Sequence, residues 1–86
     1  MKMIIFSGHA LLQMNRRGIS EKEVREIIKN PGQTEDIHPG RIIMQSRILA
    51  GKPEREFLVR VFIDVSVNTT MVVTVYLWPQ MTVGSP

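Results

Sequence analysis

The spacing of apolar residues changes twice along this chain. Residues 3 to 6 are apolar in succession, which predicts a short strand. From residue 9 to 17 the apolar positions follow helical spacing, with Ser7 as the expected N-cap and Gly18 as the expected left-handed residue that ends the helix. The residues that this spacing directs toward the core are Ala10, Leu11 and Met14.

A second helix is predicted directly after the first. Ser20 and Glu23 have the spacing of a capping box, in which each side chain binds the backbone N–H of the other. Asn30 and Pro31 end the pattern, because proline cannot continue a helix. The apolar stripe of this helix consists of Val24, Ile27 and Ile28.

After Gly32 the apolar period becomes two, which is typical of strands. Strands are predicted over residues 34–38, 41–50, 55–65 and 70–78, with turns between them at 39–40, 51–54 and 66–69. Alternation directs one set of side chains toward the helices: Phe57, Val59, Val61, Ile63, Met71, Val73 and Val75.

These elements predict an α+β fold. Strands joined by short turns pair antiparallel, so we expect a three- to four-stranded antiparallel sheet with both helices on one face and a short N-terminal strand. A chain of 86 residues supports one core. The predicted domain covers residues 1–78, and residues 79–86, rich in Gly, Ser and Pro, form a flexible tail.

Composition narrows the class of protein. The chain lacks cysteine, which excludes disulfides and thiolate metal sites, and we expect no cofactor or metal. No apolar run is long enough for a membrane span or a signal peptide, so a cytoplasmic protein without membrane contact is expected. The net charge of +3 favours a polyanion such as RNA, although many small basic proteins have no such ligand.

The first helix carries one stripe of polar residues. His9, Gln13 and Arg16 lie within roughly 60° of arc, a suitable anion-binding edge near the positive end of the helix dipole. Ordinary alternatives are a hydrogen bond from His9 to a nearby carbonyl and simple solvation of the other two. Arg17 borders the apolar arc, where its stem would cover the core.

The predicted sheet holds a second set of candidates. Arg60 interrupts an apolar strand and needs either a wet cleft or a partner, for which Asp64 on the same face is the simplest choice. Phe62, Tyr76 and Trp78 on that face could stack nucleobases, or pack only against each other. The residue types that could share acid, base and phosphate-binding roles in RNA cleavage are His9, Arg41, Arg60, Thr74 and Tyr76.

Residues 6–19 read FSGHALLQMNRRGI. This segment resembles the start of the bacterial and archaeal family called domain of unknown function 4258, which reads F-S-x-H-A-x-x-R-M-x-x-R-G-I. Later segments are similar to the family's G-R, hydrophobic-strand and V-V-T-V-Y elements: Gly40–Arg41, residues 58–61 and residues 72–76. The likeness spans residues 4–78.

The resemblance implies a fold similar to RelE, ParE and barnase-like toxins, in which helices back a sheet and the opposite face handles RNA or another target. It marks His9, Arg17, Arg41, Arg60 and Thr74 as a shared polar site. It also implies an antitoxin-like protein partner. The oligomeric state expected is a monomer or a homodimer.

The function expected is that of a toxin-like, metal-independent endoribonuclease. His9, Arg41, Arg60 and Thr74 would be catalytic, and the residues that would hold the substrate are Gln13, Arg16, Arg17 and Tyr76. Gln13 stands where the family has arginine, which removes one phosphate-neutralising charge. The alternative is a non-catalytic module of the same fold that binds RNA or a protein.

Overall fold

The computed structural model describes residues 3–50 and 55–79. The expected turn at 51–54 and residues 80–86 of the expected tail lie outside the described residues. The elements in chain order are β1 (Met3–Phe6), α1 (Gly8–Arg17), α2 (Glu21–Lys29), β2 (Gln33–His38), β3 (Arg41–Ala50), β4 (Arg55–Val65) and β5 (Thr69–Pro79).

Both helices begin and end as their sequences predict. The Ser7 hydroxyl accepts a hydrogen bond from the backbone N–H of Ala10 at 3.0 Å, and Gly18 ends α1 with φ of 70°. In α2 the Ser20 hydroxyl accepts from the backbone of Glu23, whose carboxylate accepts from the backbone N–H of Ser20 at 2.9 Å. The capping box is therefore confirmed.

The buried faces of the helices are narrower than predicted. Ala10 and Met14 are buried, but Leu11 is 41% exposed, so the prediction that it faces the core is wrong. Leu11 lies about 100° around the helix from Ala10, which places it at the margin of a narrow contact. In α2, Val24 and Ile27 are buried and Ile28 packs partly buried against the same core.

One five-stranded mixed sheet contains all the strands, in the order β1-β5-β4-β3-β2. The expectation of antiparallel pairing is confirmed for β2 to β5. The expected count of three to four strands is exceeded because β1, for which no pairing was predicted, joins the same sheet and pairs parallel with β5, Met3 lying opposite Thr69. Short turns force antiparallel neighbours only on strands they connect, whereas β1 reaches β5 through all the intervening elements.

A β-bulge in β5 changes which residues face the helices. Phe62 of β4 pairs with Thr74, but the next residue, Ile63, pairs with Val72, so Val73 has no partner opposite it. The expected alternation through Met71 and Val73 is therefore wrong. Val72 is fully buried in place of Met71, which is 39% exposed.

The two faces of the sheet differ in cover and composition. On the covered face, both helices pack on Val59, Val61 and Ile63 of β4 and on Val72 and Val75 of β5. The open face comprises the alternate side chains of β4 and those opposite them on neighbouring strands. Its members on β4 are Glu56, Leu58, Arg60, Phe62 and Asp64.

Candidate functional site

A row of polar side chains crosses the middle of the open face. Register places Gln33 of β2 opposite Gln45, Gln45 opposite Arg60, and Arg60 opposite Tyr76. We call these four residues the central row. The Arg60 Nε donates to Gln45 Oε1 at 2.8 Å, and Gln45 Nε2 donates to Gln33 Oε1. These two bonds fix the orientation of the Arg60 guanidinium and leave its two terminal nitrogens without a hydrogen-bond partner among the described residues.

Three aromatic side chains adjoin the central row. Tyr76 stacks on Trp78 with ring centroids 5.5 Å apart and an interplanar angle of 25°, and its ring meets Phe62 edge-on at the same separation. The Arg60 Cζ lies 5.6 Å from the centre of the Trp78 ring. Tyr76 is 37% and Trp78 42% exposed, so both rings leave surface for a ligand.

Arg41 lies on the open face but toward one end of it. It is opposite Asp64, and its Nη2 donates to Asp64 Oδ2 at 3.0 Å while Nε donates to the second carboxylate oxygen. These hydrogen bonds are the main reason why the pKa of the Asp64 carboxyl is lowered, and the charge of His38 lowers that pKa further. Arg41 is thus neutralised by a carboxylate, whereas Arg60 contacts only neutral groups.

The ion pair between Arg41 and Asp64 decides which arginine Asp64 binds. Asp64 was the simplest partner for Arg60, and that expectation is wrong, because Asp64 binds Arg41 and Arg60 binds Gln45. Arg41 and Gln45 are four positions apart along β3, and Gln45 lies opposite Arg60. The two arginines are therefore about 13 Å apart in the strand direction. Arg41 and Arg60 therefore do not converge on one group.

The start of α1 is fixed at the outer edge of β5. The backbone N–H of Ser7 donates to Val72 and its hydroxyl donates to the carbonyl of Val73 at 2.8 Å. These bonds hold Ser7, at the start of the turn that contains His9, against Val72 and Val73 of β5, directly before Thr74 in the chain. The His9 side chain is exposed and makes no hydrogen bond within residues 3–50 and 55–79.

The other candidates on α1 lie progressively farther from His9 along the helix. At 1.5 Å rise per residue, Gln13 is about 6 Å and Arg16 and Arg17 are about 10 to 12 Å beyond His9 along the helix axis. Arg16 and Arg17 are exposed, and Gln13 is half-buried. Register relates none of the three to the central row.

Thr74 is the last of the candidate site residues, and it also lies on the open face. It lies opposite Phe62, two residues along β5 from Tyr76. Its side chain is 9% exposed, and its hydroxyl oxygen is buried without a hydrogen-bond partner among the described residues. A buried hydroxyl in this state is costly to stability by about 1 to 3 kcal/mol.

Two shallow cavities flank the pair of glutamines. One is lined by Gly32, Gln33, Gln45, Ser46, Arg47 and Leu58. The other, of about 470 Å³, is lined by Gln33, Thr34, Glu35, Ile43, Gln45 and Arg60. Sequence reasoning missed Gln33 and Glu35. Part of the signal was available, because a two-residue turn at Pro39 and Gly40 pairs His38 with Arg41, but that register alone would set Gln33 opposite Ser46. The irregularity between Asp36 and His38 shifts the pairing by one residue and brings Gln33 opposite Gln45.

Within the described part of the chain, no group of three or more His, Asp and Glu side chains could hold a metal ion. None of the described helices is long and apolar enough to cross a membrane.

The fold and the site define a class: a small α+β domain with helices on one face of a mixed sheet and an open face that carries aromatic and charged side chains. The family model described as domain of unknown function (DUF4258) matches residues 6–77, and the chain belongs to that family. No curated protein and no solved structure matches the chain.

Proposed function

We propose that this chain is a single-stranded RNA-binding module that does not cleave its ligand, and that the RNA lies across the open face. The observation that carries the proposal is the grouping of Arg60, Tyr76 and Trp78, in which a guanidinium held by a neutral amide lies against two exposed, stacked rings. Bases of single strands stack on such rings regardless of sequence.

Charge supports the same surface. The Arg60 guanidinium has no carboxylate within 4 Å among the described residues, so its charge is available to a phosphate or a base. Arg47 lies exposed beside it, on β3 opposite Leu58, and adds a second cation to the face. Two cations near two rings fit a strand whose phosphates and bases alternate.

Cleavage has weaker support. An endoribonuclease needs a base, an acid and a phosphate-holding cation around one phosphate. The hydroxyl of Ser7, two residues before His9, donates to the carbonyl of Val73, the residue before Thr74, and this contact favours a role for His9 near Thr74. However, Arg41 is neutralised by Asp64 and lies about 13 Å from Arg60 in the strand direction. Gln13 also lacks the charge of the arginine that the family pattern has at this position.

The toxin-like fold and an antitoxin-like partner are part of the proposal. They are supported by the observed layers, with helices behind the sheet and the opposite face uncovered, because the resemblance implies the same arrangement. A partner that inhibits RNA binding would cover the open face. An RNA ligand also implies a cytoplasmic location for the protein.

Trp78 provides the test, because it is the only tryptophan of the chain and lies on the proposed surface. A 12-nucleotide single-stranded RNA of mixed sequence should quench its fluorescence on titration in EDTA, and heparin, a polyanion without bases, should quench far less. Arg60→Gln and Tyr76→Leu should each weaken RNA binding roughly 5- to 100-fold, the range expected for one stacking or charge contact.

The matched control is Arg55→Gln. Arg55 is an exposed arginine on the same strand, and strand alternation points it to the opposite side of the sheet. Its loss should leave RNA affinity within about twofold of wild type, since only the screened net charge changes. Equal losses in Arg55→Gln and Arg60→Gln, tighter binding of the matching DNA strand, or RNA fragments that His9→Ala no longer produces would each contradict the proposal.

A further inference from the structure

The cavity beside Arg60 combines opposite charges around an apolar floor. Glu35 of β2 lies opposite Ile43 of β3, and Ile43 is 8% exposed although it is on the open face. Glu35, Ile43 and Arg60 all line this cavity of about 470 Å³. It therefore offers an acceptor, an apolar contact surface and a donor to one planar ligand.

The two charged groups do not bind each other. The ion pairs within 4 Å among the described residues join Arg25 to Glu21 and Arg41 to Asp64, so neither Glu35 nor Arg60 takes part. A carboxylate and a guanidinium that share a cavity without contact can both bind a ligand between them. Such a ligand must present donors toward Glu35 and an acceptor toward Arg60.

The central row determines which Arg60 atoms are available. Its Nε is bound by Gln45 Oε1, so the terminal nitrogens are the donors left for a ligand. Gln45 is in turn bound to Gln33, whose own amide lines the same cavity. The relay holds the donors in place before a ligand arrives, which lowers the entropic cost of binding.

Among the four RNA bases, guanine has the matching edge. Its N1–H and N2–H are adjacent donors that suit both oxygens of one carboxylate, and O6 beside them accepts from a guanidinium or amide N–H. Adenine would set the N1 lone pair against the carboxylate. Uracil offers one edge donor between two acceptors, and cytosine offers one donor next to two acceptors.

We propose that this cavity is a guanine-selective base pocket, with Glu35 accepting from N1–H and N2–H, and Arg60 donating to O6. The inference rests on the proposed RNA binding and adds the base that the module prefers. Neighbouring bases would stack on Tyr76 and Trp78, while the guanine lies over Ile43 of β3, between Glu35 and Arg60.

The test compares five-nucleotide RNAs that differ only at the centre: uridines flanking guanosine, inosine, adenosine, cytidine or uridine. Trp78 quenching gives each affinity. The guanosine strand should bind about tenfold more tightly than the all-uridine strand, the usual discrimination of a good bidentate contact. Inosine, which lacks only the 2-amino group, should fall between them.

Glu35→Gln removes the carboxylate charge with little change of shape at an exposed position. It should reduce the guanosine preference over the all-uridine strand to about twofold or less, while the loss of one negative charge changes all five affinities in the same direction. Asp36→Asn is the control, because Asp36 is the next acid on β2, pairs with Ile42 and points to the other face. A thermal melting curve of each variant tests whether it is folded.

The outcomes separate the two proposals. If all five strands bind equally, RNA binding stands and the guanine pocket is wrong. If none binds, the proposed function fails as well. A guanosine preference that survives in Glu35→Gln, or disappears equally in Asp36→Asn, overturns the assignment of Glu35.

Discussion

The two faces of β4 come from one strand of eleven residues and differ in what they do. On the covered face Val59, Val61 and Ile63 are at most 1% exposed and belong to one core with buried side chains of both helices. On the open face Arg60 and Phe62 are only half-buried and contact polar or aromatic neighbours. Alternation alone separates them, since successive side chains point to opposite sides.

This difference teaches that stability and recognition are separable in this domain. Burial of aliphatic side chains on the covered face stabilises the fold, and the open face adds little burial of that kind. Substitutions on one side should therefore change the free energy of unfolding, and substitutions on the other side should change binding. A single substitution that changed both the free energy of unfolding and the binding affinity would contradict this separation.

The largest effect is expected from Ile63→Ala. Ile63 is 1% exposed in the core, so truncation should leave a cavity and lower the free energy of unfolding by about 2 to 5 kcal/mol. Urea denaturation measures the loss, and Val67→Ala, at an 87% exposed position, is the control with little change. A loss below about 1 kcal/mol for Ile63→Ala would show that the covered face is not the main source of stability.

A smaller effect is expected from Ser20→Ala. The substitution removes the hydroxyl that caps α2, the helix contributing Val24 and Ile27 to the core, and should lower the free energy of unfolding by about 1 kcal/mol. RNA affinity of the folded protein should not change. Lys22→Ala, an exposed substitution in the same helix, should leave stability nearly unaffected; equal losses would show that the cap contributes nothing specific.

The smallest effect is expected from Asp64→Asn on the open face. The pKa of the Asp64 carboxyl is lowered in the folded protein, so ionised Asp64 contributes stability above its ordinary value of 3.8, and that contribution is lost as the pH falls through the folded pKa. The variant should melt slightly lower than wild type at pH 7, and the difference should shrink below pH 3.8. A difference that grows in acid would contradict the pairing with Arg41.

Local chemistry made the helices predictable. Ser7, Gly18, and the reciprocal pair Ser20 and Glu23 act within four residues of the chain, so their spacing alone fixes where α1 and α2 begin and where α1 ends. The strand bounds followed from period-two alternation for the same reason. The polar and aromatic character of the open face also followed, because alternation assigns Arg60 and Tyr76 to one side.

Long-range geometry was not predictable in the same way. The bulge at Val73 depends on how β5 meets β4, and no residue near Val73 signals it, so Met71 and Val72 were assigned to the wrong faces. The partner of Asp64 depends on the register of β3, which decides between Arg41 and Arg60. The grouping of the candidate site residues likewise depends on register and needed coordinates.

The pairing of β1 with β5 has a consequence for how the chain acquires its shape. Ser7 bonds to Val73, 66 positions later, so one border of the sheet can form only after nearly the whole domain is available. During synthesis on a ribosome, the apolar side of the α1 segment would stay exposed to solvent until β5 emerges. Such late closure favours slow, all-or-none acquisition of structure and dependence on chaperones while the nascent chain is incomplete.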